Sequence, residues 1–238
     1  MRTVLVAPLA PGRVSLAPGE SHHLLHVLRL ARGGRIRVAD GAGRFAQATL
    51  VDVEGGTAVL LVEPPESAPP PQPTEILLSL PKAALVEEAI TLGTELGVTA
   101  FRLVRTDRSP PGTPRIERLE RVVDAALKQC RRADRPLLAG FADLRAAVLA
   151  APPLHRFVAA FGGHTPTDAW AAANAGGVTG GPAPRPMILA IGCEGGFAPS
   201  ELDLLVGSGF HPVDLGNHVL RAPTAAAVGL GMLRATER

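Results

Sequence analysis

The stretch Pro64–Pro73, reading PPESAPPPQP, is the feature that most restricts this chain. Proline has no backbone N–H to donate and a fixed φ, so neither a helix interior nor a central strand can run through such a segment. It reads as an extended, semi-rigid linker. On its N-terminal side lie short strand-like runs, Arg35–Ala39, Ala46–Val53 and Thr57–Glu63, broken by turn signals at Gly33-Gly34, Asp40-Gly41 and Gly55-Gly56. One helix, from about Glu20 to Leu30, interrupts them. Residues 1–68 are therefore expected to form a small β-barrel domain.

From residue 74 to 238 the rhythm changes. Strands are predicted at Glu75–Leu80, Ala100–Val104, His155–Phe161, Met187–Gly192 and His211–Leu215. Helices are predicted at Ala84–Leu96, Arg115–Ala133, Pro199–Gly207 and Pro223–Ala235, with a weak helix after the third strand. Strand–helix alternation makes this second domain α/β, with a mostly parallel sheet covered on both faces. The length of 238 residues suits two domains, and 46% hydrophobic against 19% charged residues describes core-forming chain.

Composition also removes some functions. The two cysteines, Cys130 and Cys193, stand far apart. That argues against a disulfide framework or a cysteine zinc site and fits a reducing cytoplasm. His22 and His26 have metal-ligand spacing but no evident third ligand, so no metal is expected. The N-terminal MRTVLVAPLAPGR is too short in its apolar run for a signal peptide, and no run approaches the ~18 apolar residues of a membrane-spanning helix. A soluble, cytoplasmic protein without a membrane partner is the expectation. The net charge of +2 does not by itself indicate a nucleic-acid partner. With 3% aromatics and no Tyr, an RNA site would lean on Arg and on backbone groups.

The most informative segment for chemistry is ILAIGCEGGFAPSEL, residues 188–202. A buried apolar strand enters a glycine turn, and the turn enters a helix; in parallel sheets ligands bind at the carboxyl ends of strands. Gly195 and Gly196 allow a ligand to approach the backbone. The Lys-Ser/Thr of a phosphate-cradling loop is missing, and so is the G-x-G-x-x-G spacing. Glu194 would repel a pyrophosphate but tolerate a sulfonium cation. A second segment, VDLGNHVLRAPTAAAVGLGML at residues 213–233, again leads from a strand through a glycine turn to a small-residue helix.

Together these segments resemble the C-terminal motifs of the SPOUT methyltransferases. More closely, the chain resembles the ribosomal RNA small subunit methyltransferase E family, the uridine-N3 methyltransferases of 16S rRNA. Gly192-Cys193-Glu194-Gly195-Gly196 matches the family's G-P-E-G-G. Leu215-Gly216-Asn217-His218-Val219-Leu220-Arg221-Ala222-Pro223-Thr224-Ala225 matches its L-G-x-x-I-L-R-x-E-T-A. Glu95-Leu96-Gly97-Val98, Thr106-Asp107-Arg108-Ser109, Ala126–Arg132 and Val27-Leu28-Arg29 match further family motifs in the same order. Cys193 replaces a Pro, Pro223 and Asp107 replace Glu, and Leu92 stands where a Lys is expected.

The resemblance implies a PUA-like barrel, then a SPOUT domain whose C-terminal part, near 187–225, is tied in a deep trefoil knot, an exception to the rule that chains are unknotted. It implies S-adenosylmethionine as methyl donor, held by Ile191, Gly192, Glu194, Gly195 and Gly196 and by Leu215, Gly216, Asn217, Val219 and Leu220. It implies a homodimer acting on small-subunit ribosomal RNA or the assembled small subunit. Uridine N3 must lose a proton to attack the methyl group, and a fixed cation stabilises the anion that forms. Arg221 is the candidate for that role, with Arg108 and Asp107 as orienting groups. RNA phosphates are expected to meet Arg29 in the barrel and Arg118, Arg121, Lys128 and Arg132 on a basic helix stripe. The rival readings are a SPOUT methyltransferase of another RNA and an RNA-binding paralogue that has lost turnover.

Overall fold

The computed structural model describes residues 3–152, 154–175 and 185–236. They divide into two compact units. One holds the residues up to Pro71 together with Asp124–Arg135; the other holds Gln72–Val123 and the residues from Pro136 onward.

The first unit contains β1 (Thr3–Leu5), β2 (Gly12–Ser15), α1 (Pro18–His22) with a π-helical turn at His23–Val27, β3 (Arg35–Ala39), β4 (Arg44–Glu54), β5 (Thr57–Val62) and β6 (Glu66–Ser67). The sheet order is β1-β3-β4-β5-β2, with β6 also on β4. Only β1 and β3 run parallel. Alternate residues point to one face. Accordingly Ala46, Ala48 and Leu50 of β4 meet Ile36 and Val38 of β3 and Leu60 and Val62 of β5 in a core closed by Leu24. Gly55 and Gly56, at φ 57° and 84°, make the two-residue turn that sets Glu54 opposite Thr57; that turn requires positive φ at both positions.

Two parts of this unit depart from the sequence reading. The strands β1 and β2 were not expected; Pro8 and Pro11 keep them to three and four residues, too short for a period to show. The proline stretch is not free linker throughout. Glu66 and Ser67, which have N–H groups between the prolines, pair with Arg44 and Phe45, and Ala68 donates to the Gly43 carbonyl.

The second unit contains β7 (Thr74–Ser79), α2 (Ala83–Glu95), β8 (Ala100–Arg105), β9 (Leu137–Asp143), α4 (Leu144–Leu149), β10 (His155–His164), α5 (Pro166–Ala175), β11 (Met187–Ile191), α6 (Pro199–Gly207), β12 (His211–Val213) and α7 (Ala222–Ala235). The helix α3 (Ile116–Cys130) begins in this unit, and its last residues belong to the first. All pairings in the six-stranded sheet are parallel, in the order β12-β10-β11-β7-β8-β9. The strand β11 thus sits between β7 and β10, two strands formed earlier in the chain. Every residue of β7 and β11 is buried; β11 reads as an unbroken apolar run, and β7 carries the apolar Ile76, Leu77 and Leu78 between the buried polar Thr74, Glu75 and Ser79. The edge strand β9 and the short α4 were not expected: β9 is largely apolar but its residues do not alternate, with Leu137 and Phe141 exposed, and α4 is only six residues long.

Small residues let α7 pack on its own sheet. A Cβ on Gly229 would lie 2.7 Å from Leu189 Cδ2 and 3.4 Å from Leu215 Cδ1. Trp170 of α5 donates its indole N–H to the Leu233 carbonyl at 2.8 Å. Among the described residues no helix is long and apolar enough to cross a membrane. His22 and His26 stack on each other, and no group of three or more His, Cys, Asp or Glu could hold a metal ion among the described residues.

One titratable group in this sheet makes a stability prediction. Burial, and then the charge of His164, lower the pKa of His211 on β12 from its ordinary 6.5. As pH falls below that value the unfolded imidazole takes up its proton first, so the unfolded state binds more protons and stability falls. The loss is complete below the folded pKa. His211→Gln should therefore flatten the decline in urea midpoint between about pH 7.5 and about pH 5. An unaltered decline would mean that His211 is not its source.

Candidate functional site

A cavity of about 420 Å³ opens where three neighbouring strands end. Ala159, Ala160 and Phe161 of β10 form one wall. The turn after β11, residues 191–197, forms the floor. Residues of the loop after β12 close the other side, and Arg108 reaches in from the loop after β8.

The floor is built by backbone lying on backbone. A Cβ on Gly192 would be 2.8 Å from Gly196 Cα and 2.9 Å from its carbonyl carbon, closer than any side chain tolerates. Gly196 has φ 69° and donates to the Cys193 carbonyl at 2.8 Å. Gly195 lies under the aliphatic part of Arg108, whose Cδ would be 3.2 Å from an added Cβ. Arg108 Nη1 donates to the carbonyls of Gly195 at 2.6 Å and Phe197 at 3.2 Å. The Cys193 thiol donates to the Arg108 carbonyl at 3.1 Å, a bond that a proline there could not make.

Asp214 ties the C-terminal part of β10 to the loop after β12. Its Oδ1 accepts from Gly216 N–H at 2.9 Å and its Oδ2 from Gly162 N–H at 3.1 Å. Gly216 is at φ 117°, and the Asx turn needs that freedom. Sequence reasoning passed over Asp214, although an Asp two residues before a glycine is a turn signal. It also passed over the β10 wall, because Phe161 and its neighbours lie inside a strand and carry no motif.

Nine of the ten residues expected at the donor site line this cavity: Ile191, Gly192, Glu194, Gly195, Gly196, Leu215, Gly216, Val219 and Leu220. Asn217 is not among the lining residues. Of the three catalytic candidates only Arg108 lines it. The Asp107 and Arg221 side chains are exposed outside it. Arg221 is the residue before α7; its carbonyl accepts from Ala225 N–H, and its Nη2 lies 3.4 Å from Glu88 Oε1 on α2. Ala222 is the first helical residue and not the cap. Pro223 is buried at the second position, where the N–H it lacks would have had no helical partner.

The expected phosphate-binding cations differ in what they already hold. Arg118 makes a two-pronged pair with Glu87, and the hydrogen bond lowers the Glu87 pKa and raises that of Arg118. In the first unit Lys128 pairs with Glu20, and Arg132 with Asp134. Arg121 donates only to the Glu117 carbonyl of its own helix. Arg29 is exposed at φ 52°. The sequence stripe counted charges but did not see Glu87 and Glu20, which come to Arg118 and Lys128 from elsewhere in the fold, or the local Arg132–Asp134 pair.

A family model described as RNA methyltransferase domain matches residues 68–234, and one described as RNA methyltransferase PUA domain matches residues 16–63. Ribosomal RNA small subunit methyltransferase E of Synechocystis sp. is 33% identical over 238 residues, covering 98% of this chain and 77% of the relative. The chain belongs to the ribosomal RNA small subunit methyltransferase E family of RNA methyltransferases. The protein of that name from Mycobacterium tuberculosis is also 33% identical, over 92% of this chain and 86% of its own. The fold is shared with the family member from Neisseria gonorrhoeae, solved bound to S-adenosyl methionine, at a TM-score of 0.85 and 22% identity over 99% of this chain and 97% of that one. The methyltransferase E fold thus combines a PUA-like N-terminal part with the α/β part that carries the cavity.

The two glycines of the floor should respond differently to a methyl group. Gly192→Ala pushes backbone against backbone and should cost about 1–3 kcal/mol, the usual range for overpacking. Gly195→Ala meets only the flexible Arg108 side chain and should cost less. Urea unfolding of both variants checks this; equal losses would contradict the close approach at Gly192.

Proposed function

We propose that this protein transfers a methyl group from S-adenosylmethionine to N3 of a uridine in small-subunit (16S) ribosomal RNA. The observation that carries the reading is the cavity at the ends of β10, β11 and β12, on a chain related over nearly its whole length to proteins named for small-subunit ribosomal RNA methylation. Its volume lies within the roughly 300–1,000 Å³ typical of small-molecule sites. Its floor offers backbone groups, its walls offer Phe161 and Leu220, and Glu194 and Asp214 supply negative charge suited to a sulfonium. The bound donor would supply an electrophilic methyl group.

The chain's own residues would do the rest. The backbone of 191–196 and 215–220 would hold the donor, and Arg108 would fix the floor beneath it. Arg221, exposed beyond the cavity's β12 side, would stabilise the charge that develops as uridine N3 loses its proton. Pro223 offers no carboxylate, and it is buried; the carboxylate nearest at hand for Arg221 is Glu88. We take Asp107 to orient the substrate, 187–225 to be threaded as a trefoil knot, and the cytoplasmic enzyme to act as a homodimer, as the family resemblance implies. The insertion of β11 between β7 and β10 is compatible with such threading. Gly229 of α7 faces the chain's own Leu189 and so packs within the chain.

The deciding test uses small subunits that lack the modification, labelled donor, and mapping of the label. Label on one uridine base at N3 supports the reading. Label on another RNA or on a ribose supports a different SPOUT specificity, and no label supports a paralogue without turnover. Arg221→Ala should lower the single-turnover rate by roughly 100-fold, the usual loss for one preorganised electrostatic donor, with donor affinity little changed. A near-wild-type rate would remove Arg221 from the chemistry.

RNA affinity should fall with salt as phosphate contacts release counterions. Because Arg118 already pairs with Glu87, Arg121→Ala should reduce the salt slope by about 1, and more than Arg118→Ala does. Filter binding over a salt series distinguishes them; equal slopes in all three proteins would show that this helix face does not touch phosphate.

A further inference from the structure

Glu201, in the first turn of α6, is an acidic side chain with only 9% of its surface exposed. A negative charge near a helix N-terminus would be stabilised by the helix alone, but the geometry goes further. Its Oε2 accepts from the Ala198 N–H at 2.7 Å, the local half of a capping arrangement. Its Oε1 accepts from the Asp107 N–H at 2.8 Å, in a loop 94 residues away in sequence. One carboxylate therefore joins the end of the glycine turn to the loop that carries Arg108.

The same two loops are joined three more times. Arg108 Nη1 reaches the carbonyls of Gly195 and Phe197, and the Cys193 thiol reaches the carbonyl of Arg108. At its other side the Arg108 loop is pinned to the sheet, where Thr106 Oγ1 and Ser79 Oγ are 2.6 Å apart and Ser109 Oγ accepts from the Thr106 N–H. Without Glu201 the buried Ala198 N–H would lack its side-chain acceptor, which is costly, and the Asp107 N–H would lose the bond that ties its loop to α6. The loop carrying Arg108 would then be free to leave the cavity floor.

The geometry points to Glu201 as a positioning residue that seats Arg108 on the Gly195–Phe197 turn and so keeps the donor cavity formed. It rests on the reading of that cavity as the methyl-donor site, and it adds a residue that acts on the donor only through Arg108.

Glu201→Gln keeps the size of the side chain but sets an amide N–H against one of the two backbone donors. Calorimetry with S-adenosylmethionine on the full-length wild type, Glu201→Gln, Arg108→Ala and the double variant reads the coupling. Each single change should weaken donor binding about 10-fold, and the double variant should be no weaker than the weaker single one. A double variant that loses the product of both factors, or a Glu201→Gln protein with wild-type affinity, overturns the proposal.

Amide hydrogen exchange without donor separates this from the donor reading. Glu201→Gln should speed exchange at the Asp107 and Gly196 amides and leave Leu77 in β7 protected. Arg108→Ala alters only an exposed side chain and should speed Gly196 in the same way, so the clasp remains testable even if Glu201→Gln does not fold. Unchanged exchange at Gly196 overturns the clasp. Faster exchange there, in a wild-type protein that binds no donor, upholds the clasp and refutes the donor site alone.

Discussion

At the turn after β11 the chain lies against itself with no side chain between, Gly192 on Gly196, and the site takes its form from that approach. A fully buried strand delivers the turn to the carboxyl edge of the sheet. Because β11 lies between β7 and β10, the turn emerges beside the end of β10, and the loop after β12 lies one strand further on. Gly192 and Gly196 leave the floor without side chains, so what it presents is backbone N–H and C=O. Such a floor can be specific for a ligand only if it is rigid, since backbone groups on a loose loop lose their aim.

Rigidity comes from hydrogen bonds that close the loops on each other. Asp214 ties the C-terminal part of β10 to the loop after β12 with its two oxygens, and Glu201 ties the loop after β8 to the loop after β11 with its own. Each carboxylate accepts from two backbone N–H groups, but Glu201 does so while buried, whereas the Gly162 and Gly216 that Asp214 holds are exposed. Arg108 completes the enclosure by donating to two carbonyls of the floor while still lining the cavity. The acidic side chains near the site therefore differ in kind, with Glu201 buried and spent on structure and Glu194 exposed at the rim.

Much of this was legible in the sequence where one residue's requirement acts alone. The buried strand β11 reads as an apolar run, and Gly55-Gly56 announced its hairpin. The two glycine-turn segments marked nine residues that line the cavity. Features set by distant partners were not legible. The edge strand β9 is largely apolar but does not alternate with polar residues, and its exposed Leu137 and Phe141 reflect a strand with one neighbour. The charges of Arg118, Lys128 and Arg132 read as a free basic stripe; Asp134 is only two residues from Arg132, but the fold alone supplies Glu87 and Glu20. Nothing in the sequence pairs Glu201 with Asp107, because that bond joins residues 94 apart. Pro223, a departure from the family pattern at a polar position, sits without strain in the first turn of α7.

The account stands on the cavity after β10, β11 and β12 being where the methyl donor binds. Titration of the isotope-labelled protein with S-adenosylmethionine, followed by amide chemical shifts, addresses this directly. The account predicts the largest changes at 159–161, 191–197 and 214–220, together with Arg108, and little change in β3–β5. Largest changes at other residues, or none at saturating donor, would contradict it.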